Sequence, residues 1–112
     1  FVPKLPSFRI TDLANAIGPS LETEIVGVRS GEKIHEEMIT SADSFSTIDL
    51  NKYYAILPPN GELLEKYKMF KIPFSSVKKG FSYNSGNNNH FLKIEEIREL
   101  IKANVDPQFS PK

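Results

Sequence analysis

The stretch Glu24–Met38, with the sequence EIVGVRSGEKIHEEM, determines the fold that we expect for this chain of 112 residues. Residues 25–28 are mostly β-branched, which is typical of a short buried strand. Residues 31–38 place apolar side chains four positions apart with charged ones between them, as on one face of a helix. The stretch therefore predicts a strand that leads into a helix through a turn at Ser30-Gly31.

Arg29 and Glu32 flank this turn and are the candidate binding residues. In α/β folds ligands collect at the carboxyl ends of strands, where Arg29 would lie, with Glu32 in the first turn of the helix. A guanidinium offers a planar fork of donors that matches phosphate oxygens, whereas a carboxylate suits the vicinal hydroxyls of a ribose. The pair therefore suits a nucleotide diphosphate. The alternative is that Arg29 and Glu32 pair with each other and that Glu32 favours the helix N-terminus electrostatically.

The first half of the chain predicts further elements around this stretch. Residues 1–6 contain two prolines and predict an extended segment, which is either an edge strand or an entering arm. Thr11 is a candidate N-cap for a helix over 12–17, which the following Gly-Pro pair would end. Residues 41–47 are rich in Ser, Asp and Thr and predict a surface loop, and the aromatic and aliphatic run at 53–57 predicts a strand.

The second half has weaker signals until its last helix. Glu62–Tyr67 could form a short helix, within a lysine-containing stretch that we interpret as solvated surface. The asparagine-rich residues 82–90 predict an irregular, ordered turn, although sugar hydroxyls would be equally good partners for these amides. Apolar residues at helical spacing predict an amphipathic helix near 94–103, followed by a flexible tail over 105–112.

Two other patterns do not indicate a function. Tyr67 and Lys71 spell the Tyr-x-x-x-Lys dyad of short-chain dehydrogenases, but a chain with four tyrosines and eleven lysines is prone to such a match by chance. His35 and His90 each lack a second ligand at a useful spacing, so we expect no metal site.

Composition excludes several classes of partner. Lys and Arg balance Asp and Glu at 14 each, so no overall field would recruit nucleic acid or an anionic membrane. There is no cysteine and no apolar run near the ~20 residues that span a bilayer, which leads us to expect a cytoplasmic protein. The first residue is Phe1 rather than a methionine, which suggests a piece of a longer protein.

Four motifs in the same order resemble one family. They are Phe-Val-Pro-Lys-Leu-Pro-Ser followed by Thr-Asp-Leu-Ala, the run at 25–39, Tyr-Tyr-Ala-Ile before proline, and Tyr83-x-Ser-x-Asn-Asn-Asn-x-x-Leu. Together they resemble the C-terminal part of the inverting UDP-N-acetylglucosamine 4,6-dehydratases, which are extended short-chain dehydrogenase/reductase proteins of pseudaminic acid biosynthesis. The resemblance covers most of the chain and is weakest from Asn60 to Gly80.

The resemblance implies roles for the two candidate residues. In that family the matching arginine and glutamate contact the UDP moiety, so Arg29 would hold the diphosphate and Glu32 the ribose. Ser30 departs from the family, where proline is usual, and a more flexible turn there could loosen the site.

The resemblance also implies that catalysis lies elsewhere. The NADP loop, the genuine Tyr-x-x-x-Lys and the Asp-Lys pair for dehydration belong to an N-terminal Rossmann part that this chain lacks. The full enzyme would transfer hydride from C4 of the sugar to NADP, eliminate water across C5 and C6, and return hydride at C6 with inversion at C5. We therefore expect no catalytic residue, no bound cofactor and no activity in these 112 residues alone.

The predicted fold class is α/β, with short strands and about three helices. Residues 1–104 would form a C-terminal nucleotide-sugar-binding domain that acts with the Rossmann part of the same protein, and we expect a homo-oligomer. The alternative function is a stand-alone, non-catalytic module that binds a nucleotide sugar or assembles with a partner chain.

Overall fold

The computed structural model describes all residues from Phe1 to Lys112 and contains two compact units. The first unit comprises Phe1–Leu5 and His35–Asn87, and the second comprises Pro6–Ile34 and Asn88–Lys112. The predicted α/β class with three helices and short strands is confirmed. The helices are α1 (Ile10–Ile17), α2 (Glu62–Met69) and α3 (Ile94–Asn104). The strands are β1 (Val2–Pro3), β2 (Glu37–Ile39), β3 (Thr47–Asp49), β4 (Tyr53–Ile56), β5 (Ser75–Ser76) and β6 (Tyr83–Asn84).

The first unit is built on a four-stranded antiparallel sheet in the order β1-β4-β3-β5. The predicted edge strand near the amino terminus is confirmed, since β1 lies at one edge with Val2 opposite Tyr54. An edge position suits Pro3, because proline has no amide to donate to a second neighbour. The predicted strand over 53–57 is also confirmed, as β4, which pairs on both sides.

The core of the first unit contains Ile39, Ile48 and Ala55, which are all buried. Two polar residues, Ser44 and Thr47, are buried with them. Ser44 Oγ donates to the carbonyl of Ser41 and accepts from the amide of Gly80, while Thr47 Oγ1 donates to the carbonyl of Asp43. The prediction of a surface loop over 41–47 is therefore wrong. This segment contains a 3-10 helix whose short polar side chains satisfy backbone groups and can therefore be buried.

An aromatic and ionic cluster covers one part of this sheet. The ring of Tyr54 lies 5.1 Å from that of Phe81 and 5.4 Å from that of Tyr83. Lys4 Nζ lies 4.5 Å above the Tyr54 ring and contacts Asp49 Oδ1 at 2.7 Å. Partial burial raises the pKa of Tyr54. Tyr54 is thus a packing residue of this cluster.

The second unit is built on α1 and α3, which pack together and contain the buried residues Ala16 and Ile97, respectively. Both helices were predicted from their apolar spacing and are confirmed, with Gly18 as the C-cap of α1. Thr11 was the wrong N-cap, because the helix starts one residue before it and Arg9 holds the cap position. No helix in the structure is both long and apolar enough to cross a membrane.

The carboxyl-terminal residues of the second unit make specific backbone contacts. The amide of Lys112 donates to the carbonyl of Ile17 at 3.0 Å, and Ser20 Oγ donates to the carbonyl of Lys112 at 2.9 Å. These bonds place Lys112 beside the C-terminal end of α1. The flexibility predicted for residues 105–112 stays a prediction.

The two central predictions of the sequence are wrong at the level of secondary structure. Residues 25–28 form no strand, and Ile25, Val26 and Val28 are 93%, 81% and 60% exposed. Residues 31–38 form no helix, since the chain turns and bends before β2 begins at Glu37. The third helix is instead α2, which contains the weakly indicated segment Glu62–Tyr67. An isolated strand lacks hydrogen-bond partners, and a short helix without a packed apolar face is marginal in water.

Candidate functional site

The candidate site is a tight turn of four residues, Arg29-Ser30-Gly31-Glu32. The amide of Glu32 donates to the carbonyl of Arg29 at 3.0 Å, which closes the turn. Gly31 has a φ of +87°, as the third position of a type II turn requires, and glycine adopts this conformation without a steric penalty. The turn predicted at Ser30-Gly31 is therefore present, although it connects neither a strand nor a helix.

A second hydrogen bond fixes the glutamate of this turn. Glu32 Oε2 accepts from the backbone amide of Arg29 at 2.8 Å. The two residues therefore bond to each other reciprocally, once through backbone atoms alone and once through the carboxylate. A carboxylate bonded to its own turn has lost part of its rotational freedom, which reduces the entropy cost of holding it in one place.

The charged groups of the turn retain free binding capacity. The guanidinium of Arg29 forms no ion pair or hydrogen bond within the chain, since the ion pairs of the structure involve other residues. Glu32 Oε1 likewise accepts no hydrogen bond. The alternative of an ion pair between Arg29 and Glu32 is therefore not realised. Glu32 also does not lie in the first turn of a helix, so it has no helix N-terminus to stabilise. Both side chains are exposed to solvent.

The asparagine-rich loop binds mainly to itself. Asn84 Oδ1 accepts from the amides of Gly86 and Asn87, and Asn87 Nδ2 donates to the carbonyl and hydroxyl oxygens of Ser82. Gly86 also faces the ring of His35 so closely that a Cβ there would lie 2.7 Å from it. Because these side-chain groups bond within the loop, the contacts favour the interpretation as an ordered turn. They do not favour the other interpretation, in which the amides are available to bind sugar hydroxyls.

The first unit also contains a groove of about 550 Å³ that the sequence did not indicate. Its apolar wall includes Phe45, Leu64 and Phe74, and Lys68 and Lys79 supply its positive charge. Lys68 is bonded to Glu65 at 2.8 Å. The buried hydroxyls of Ser44 and Thr47 border the groove and already donate to backbone carbonyls. No group of free polar atoms therefore converges in the groove. Residues from 44 to 79 contribute to it, which explains why no local motif marks it.

Two curated relatives with the same name are similar to nearly the whole chain. They are the UDP-N-acetylglucosamine 4,6-dehydratases (inverting) of Campylobacter jejuni subsp. jejuni serotypes O:2 and O:23/36, which are 44% and 42% identical over 106 residues. In both cases the match covers 90% of this chain and 31% of the relative. This finding confirms the resemblance that the four sequence motifs indicated.

A third relative has a different name. The UDP-glucose 4-epimerase of Rickettsia felis is 36% identical over 110 residues, which cover 95% of this chain and 31% of the relative. The chain thus spans about a third of the length of these curated relatives. The family described as polysaccharide biosynthesis protein matches residues 1–58, just over half of the 112 residues. The chain belongs to this family of polysaccharide biosynthesis proteins.

Proposed function

We propose that this chain is the UDP-sugar-binding part of an inverting UDP-N-acetylglucosamine 4,6-dehydratase, a larger enzyme of nucleotide-sugar and surface glycan biosynthesis. The observation that carries this proposal is the 44% identity over 90% of the chain to the Campylobacter dehydratase. In this proposal Arg29 binds the diphosphate and Glu32 binds the ribose.

The names of the relatives support recognition of the UDP half of the substrate. One relative is named for UDP-N-acetylglucosamine and another for UDP-glucose, and one is a dehydratase while the other is an epimerase. The nucleotide diphosphate is what the two substrates have in common. A stretch that resembles both proteins is therefore more suited to binding UDP than to selecting the sugar or the reaction.

The turn supports the assignment of the diphosphate to Arg29. Its guanidinium has all its donors free, and two of them can bond two phosphate oxygens in parallel. Charge-assisted bonds of this kind contribute roughly 1.5–3 kcal/mol. Gly31 leaves open space on its side of the turn, with no other atom within 4 Å of where a Cβ would be.

The hydrogen bonding of Glu32 supports its assignment to the ribose. Oε2 is held by the amide of Arg29, whereas Oε1 remains free to accept from a hydroxyl. The backbone bond fixes the carboxylate before a ligand arrives, and such preorganisation lowers the cost of binding. Glu32 thus has both a structural role in the turn and an acceptor to offer.

The 112 residues do not fit the NADP that the dehydratase reaction uses. Phosphate loops for dinucleotides need three glycines within about six residues, directly before a helix. The six glycines here, at positions 18, 27, 31, 61, 80 and 86, show no such spacing. We therefore assign NADP and the catalytic groups to a Rossmann part outside this chain, within a cytoplasmic homo-oligomeric enzyme, and derive no catalytic step from these residues.

Calorimetric titration of the whole protein with UDP and with 2′,3′-dideoxy-UDP tests this proposal. Arg29→Ala should weaken UDP binding by about ten- to a hundredfold, and Arg29→Lys should restore only part of it because lysine lacks the planar fork. Glu32→Gln keeps one oxygen for the amide of Arg29, yet it should weaken UDP more than the dideoxy ligand, which has no hydroxyls to donate.

Two variants control for charge alone. Lys33→Ala removes a positive charge next to the turn, and Glu24→Gln removes a negative charge upstream of it. Both should leave UDP affinity within about twofold, as expected for exposed charges without direct contact. Unchanged UDP binding in the Arg29 variants, or equal losses for both ligands in Glu32→Gln, would show that the nucleotide binds elsewhere.

A further inference from the structure

The segment Leu21–Val28, here called the arm, exposes an unusual run of apolar side chains. Every residue of the arm is exposed, and Ile25 and Val26 are among the most exposed apolar residues of the chain. Isoleucine and valine are usually among the most buried residue types. A contiguous apolar run at the surface marks an interaction site more often than scattered single residues do.

The backbone of the arm is also without partners. No amide or carbonyl of residues 22–28 forms a hydrogen bond within the chain. Water can satisfy these groups while the arm is exposed, but a run of unpaired amides and carbonyls is also a template for pairing with a strand. Apolar side chains and an unpaired backbone in the same residues indicate strand pairing rather than contact through side chains alone.

The second unit offers the arm no sheet. Its regular elements are α1 and α3, and its strand-like pairing is limited to a parallel bridge between Ser7 and Phe91. The curated relatives are about three times as long as this chain, since it covers 31% of them. A longer polypeptide of that size has room for a further sheet.

We propose that Ile25–Val28 adds as a β-strand to an open sheet edge in the part of a longer polypeptide that lies outside these 112 residues. In a strand Val26 and Val28 would face one side of the sheet, and Ile25 and Arg29 would face the other. The side chains of both faces are suited to burial as far as Val28, where the polar turn begins. Arg29 would therefore mark the end of the added strand.

Gly27 is the residue at which the unpaired arm departs from an extended conformation. Its φ of +81° interrupts an extended conformation in the middle of the run. Glycine adopts positive and negative φ with similar ease, so pairing can either straighten this residue or keep it as a bulge. No other atom lies within 4 Å of where its Cβ would be, so nothing in the chain opposes this rotation.

Strand addition would position the candidate site. Because Val28 directly precedes Arg29, a paired strand would fix the start of the turn that carries Arg29 and Glu32. This consequence rests on the proposed function, whereas the strand itself rests on the exposed, unpaired arm and on the greater length of the relatives. The partner is a sheet edge with apolar side chains, as in other cases of β-strand addition.

Hydrogen–deuterium exchange of the whole polypeptide, without ligand and at several protein concentrations, tests the proposal. At least one alternating pair of amides, 25 and 27 or 26 and 28, should exchange about a hundredfold more slowly than in an unstructured chain. Slow exchange that is independent of concentration supports the proposal. Fast exchange at all four amides overturns it, and so does protection that appears only together with a dimer, since the occupant would then be a second copy.

Proline variants provide a second measurement. Ile25→Pro and Val26→Pro each remove one amide, and the variant whose amide faces the sheet should melt several degrees lower than the unchanged protein. Thr23→Pro is the matched control, because it changes the same arm outside the proposed strand. Equal melting temperatures for all three variants would contradict strand pairing.

Titration with UDP separates this inference from the proposed function. Fast exchange at residues 25–28 together with UDP binding that Arg29→Ala weakens by about ten- to a hundredfold would overturn only the strand. Protected amides in a protein that does not bind UDP would overturn only the function.

Discussion

Residues 53–56 and residues 25–28 are two runs of four residues with comparable β propensity, and their environments are opposite. The first run is strand β4, which pairs with β1 on one side and β3 on the other and buries Ala55. The second is exposed along its whole length and pairs with nothing. The difference lies in the neighbours and not in the runs themselves, since a β-strand is stable only where other strands satisfy its backbone.

The first test of this comparison exchanges one buried and one exposed isoleucine for alanine. Ile39 is completely buried, so Ile39→Ala should lower the free energy of unfolding by roughly 2–5 kcal/mol. Ile25→Ala should change it by less than about 0.5 kcal/mol in this chain, because Ile25 is exposed. Urea unfolding of both variants gives the two values. A comparable loss for Ile25 would mean that the arm is packed.

The second test concerns two carbonyls at the end of α1 that accept hydrogen bonds from an arginine side chain. Arg98 Nε donates to the carbonyl of Ala16 at 3.1 Å, and Nη2 donates to that of Asn15 at 3.2 Å. These bonds satisfy carbonyls at the C-terminal end of α1 that lack partners within the helix. Arg98→Met should therefore lower the free energy of unfolding by about 1–2 kcal/mol, as measured by urea unfolding.

Arg9 provides the control for this variant. Its guanidinium forms only a long, exposed pair with Asp12 at 3.8 Å and a contact with the ring of Phe91. Arg9→Met should lower the free energy of unfolding by less than about 0.5 kcal/mol, as an ordinary surface substitution does. If Arg9→Met is as destabilising as Arg98→Met, the effect depends on lost charge rather than on the capped carbonyls.

The third test stiffens the turn next to the arm. Ser30 occupies the second position of the type II turn, where proline is favoured, and its amide has no partner in the structure. Ser30→Pro should stabilise the turn by about 0.4–1 kcal/mol, because the unfolded chain loses freedom. Calorimetric UDP titration of the whole protein should show an equal or higher affinity. A lower affinity would mean that the turn changes its conformation when the ligand binds.

The fourth and smallest effect is a pH dependence in the 3-10 helix. Asp43 Oδ2 accepts from the amide and the hydroxyl of Thr40, and these bonds lower the pKa of Asp43. A folded pKa below the unfolded value contributes stability above the unfolded pKa, near 4, and this contribution is lost as the pH falls through the folded pKa. Asp43→Asn should therefore reduce the loss of stability on acidification in this range. Identical pH profiles, measured by thermal melting between pH 2 and 6, would contradict this role.

The elements predicted correctly from the sequence have short-range causes. The spacing of apolar residues predicted α1 and α3, and a run of strand-forming residues before two prolines predicted β4. The strand predicted at 25–28 failed for a long-range reason, because the pattern of those residues says nothing of whether a second strand is available. The segment 41–47 failed because its hydroxyls bond to nearby backbone, which lets Ser44 and Thr47 be buried.

The candidate site was predictable in part. A serine-glycine pair between charged residues predicted a turn, and Gly31 forms it with a positive φ. The bond from the amide of Arg29 to Glu32 was not predicted, because it depends on the exact turn geometry that brings the side chain back onto the backbone. Whether Arg29 and Glu32 bind UDP stays a prediction, which the titrations above test.

The two carbonyls that Arg98 caps have a consequence for the order of folding during synthesis. Arg98 is 83 positions after Asn15 and 82 after Ala16, so α1 cannot complete this contact until α3 has been made. An isolated helix of eight residues is only marginally stable in water. The four-stranded sheet of the first unit, whose last strand in the sequence ends at Ser76, is synthesised before α3 and can pair before α1 and α3 make this contact. Contacts so distant in sequence form slowly, so the pairing of α1 with α3 should be the late step in the folding of the second unit.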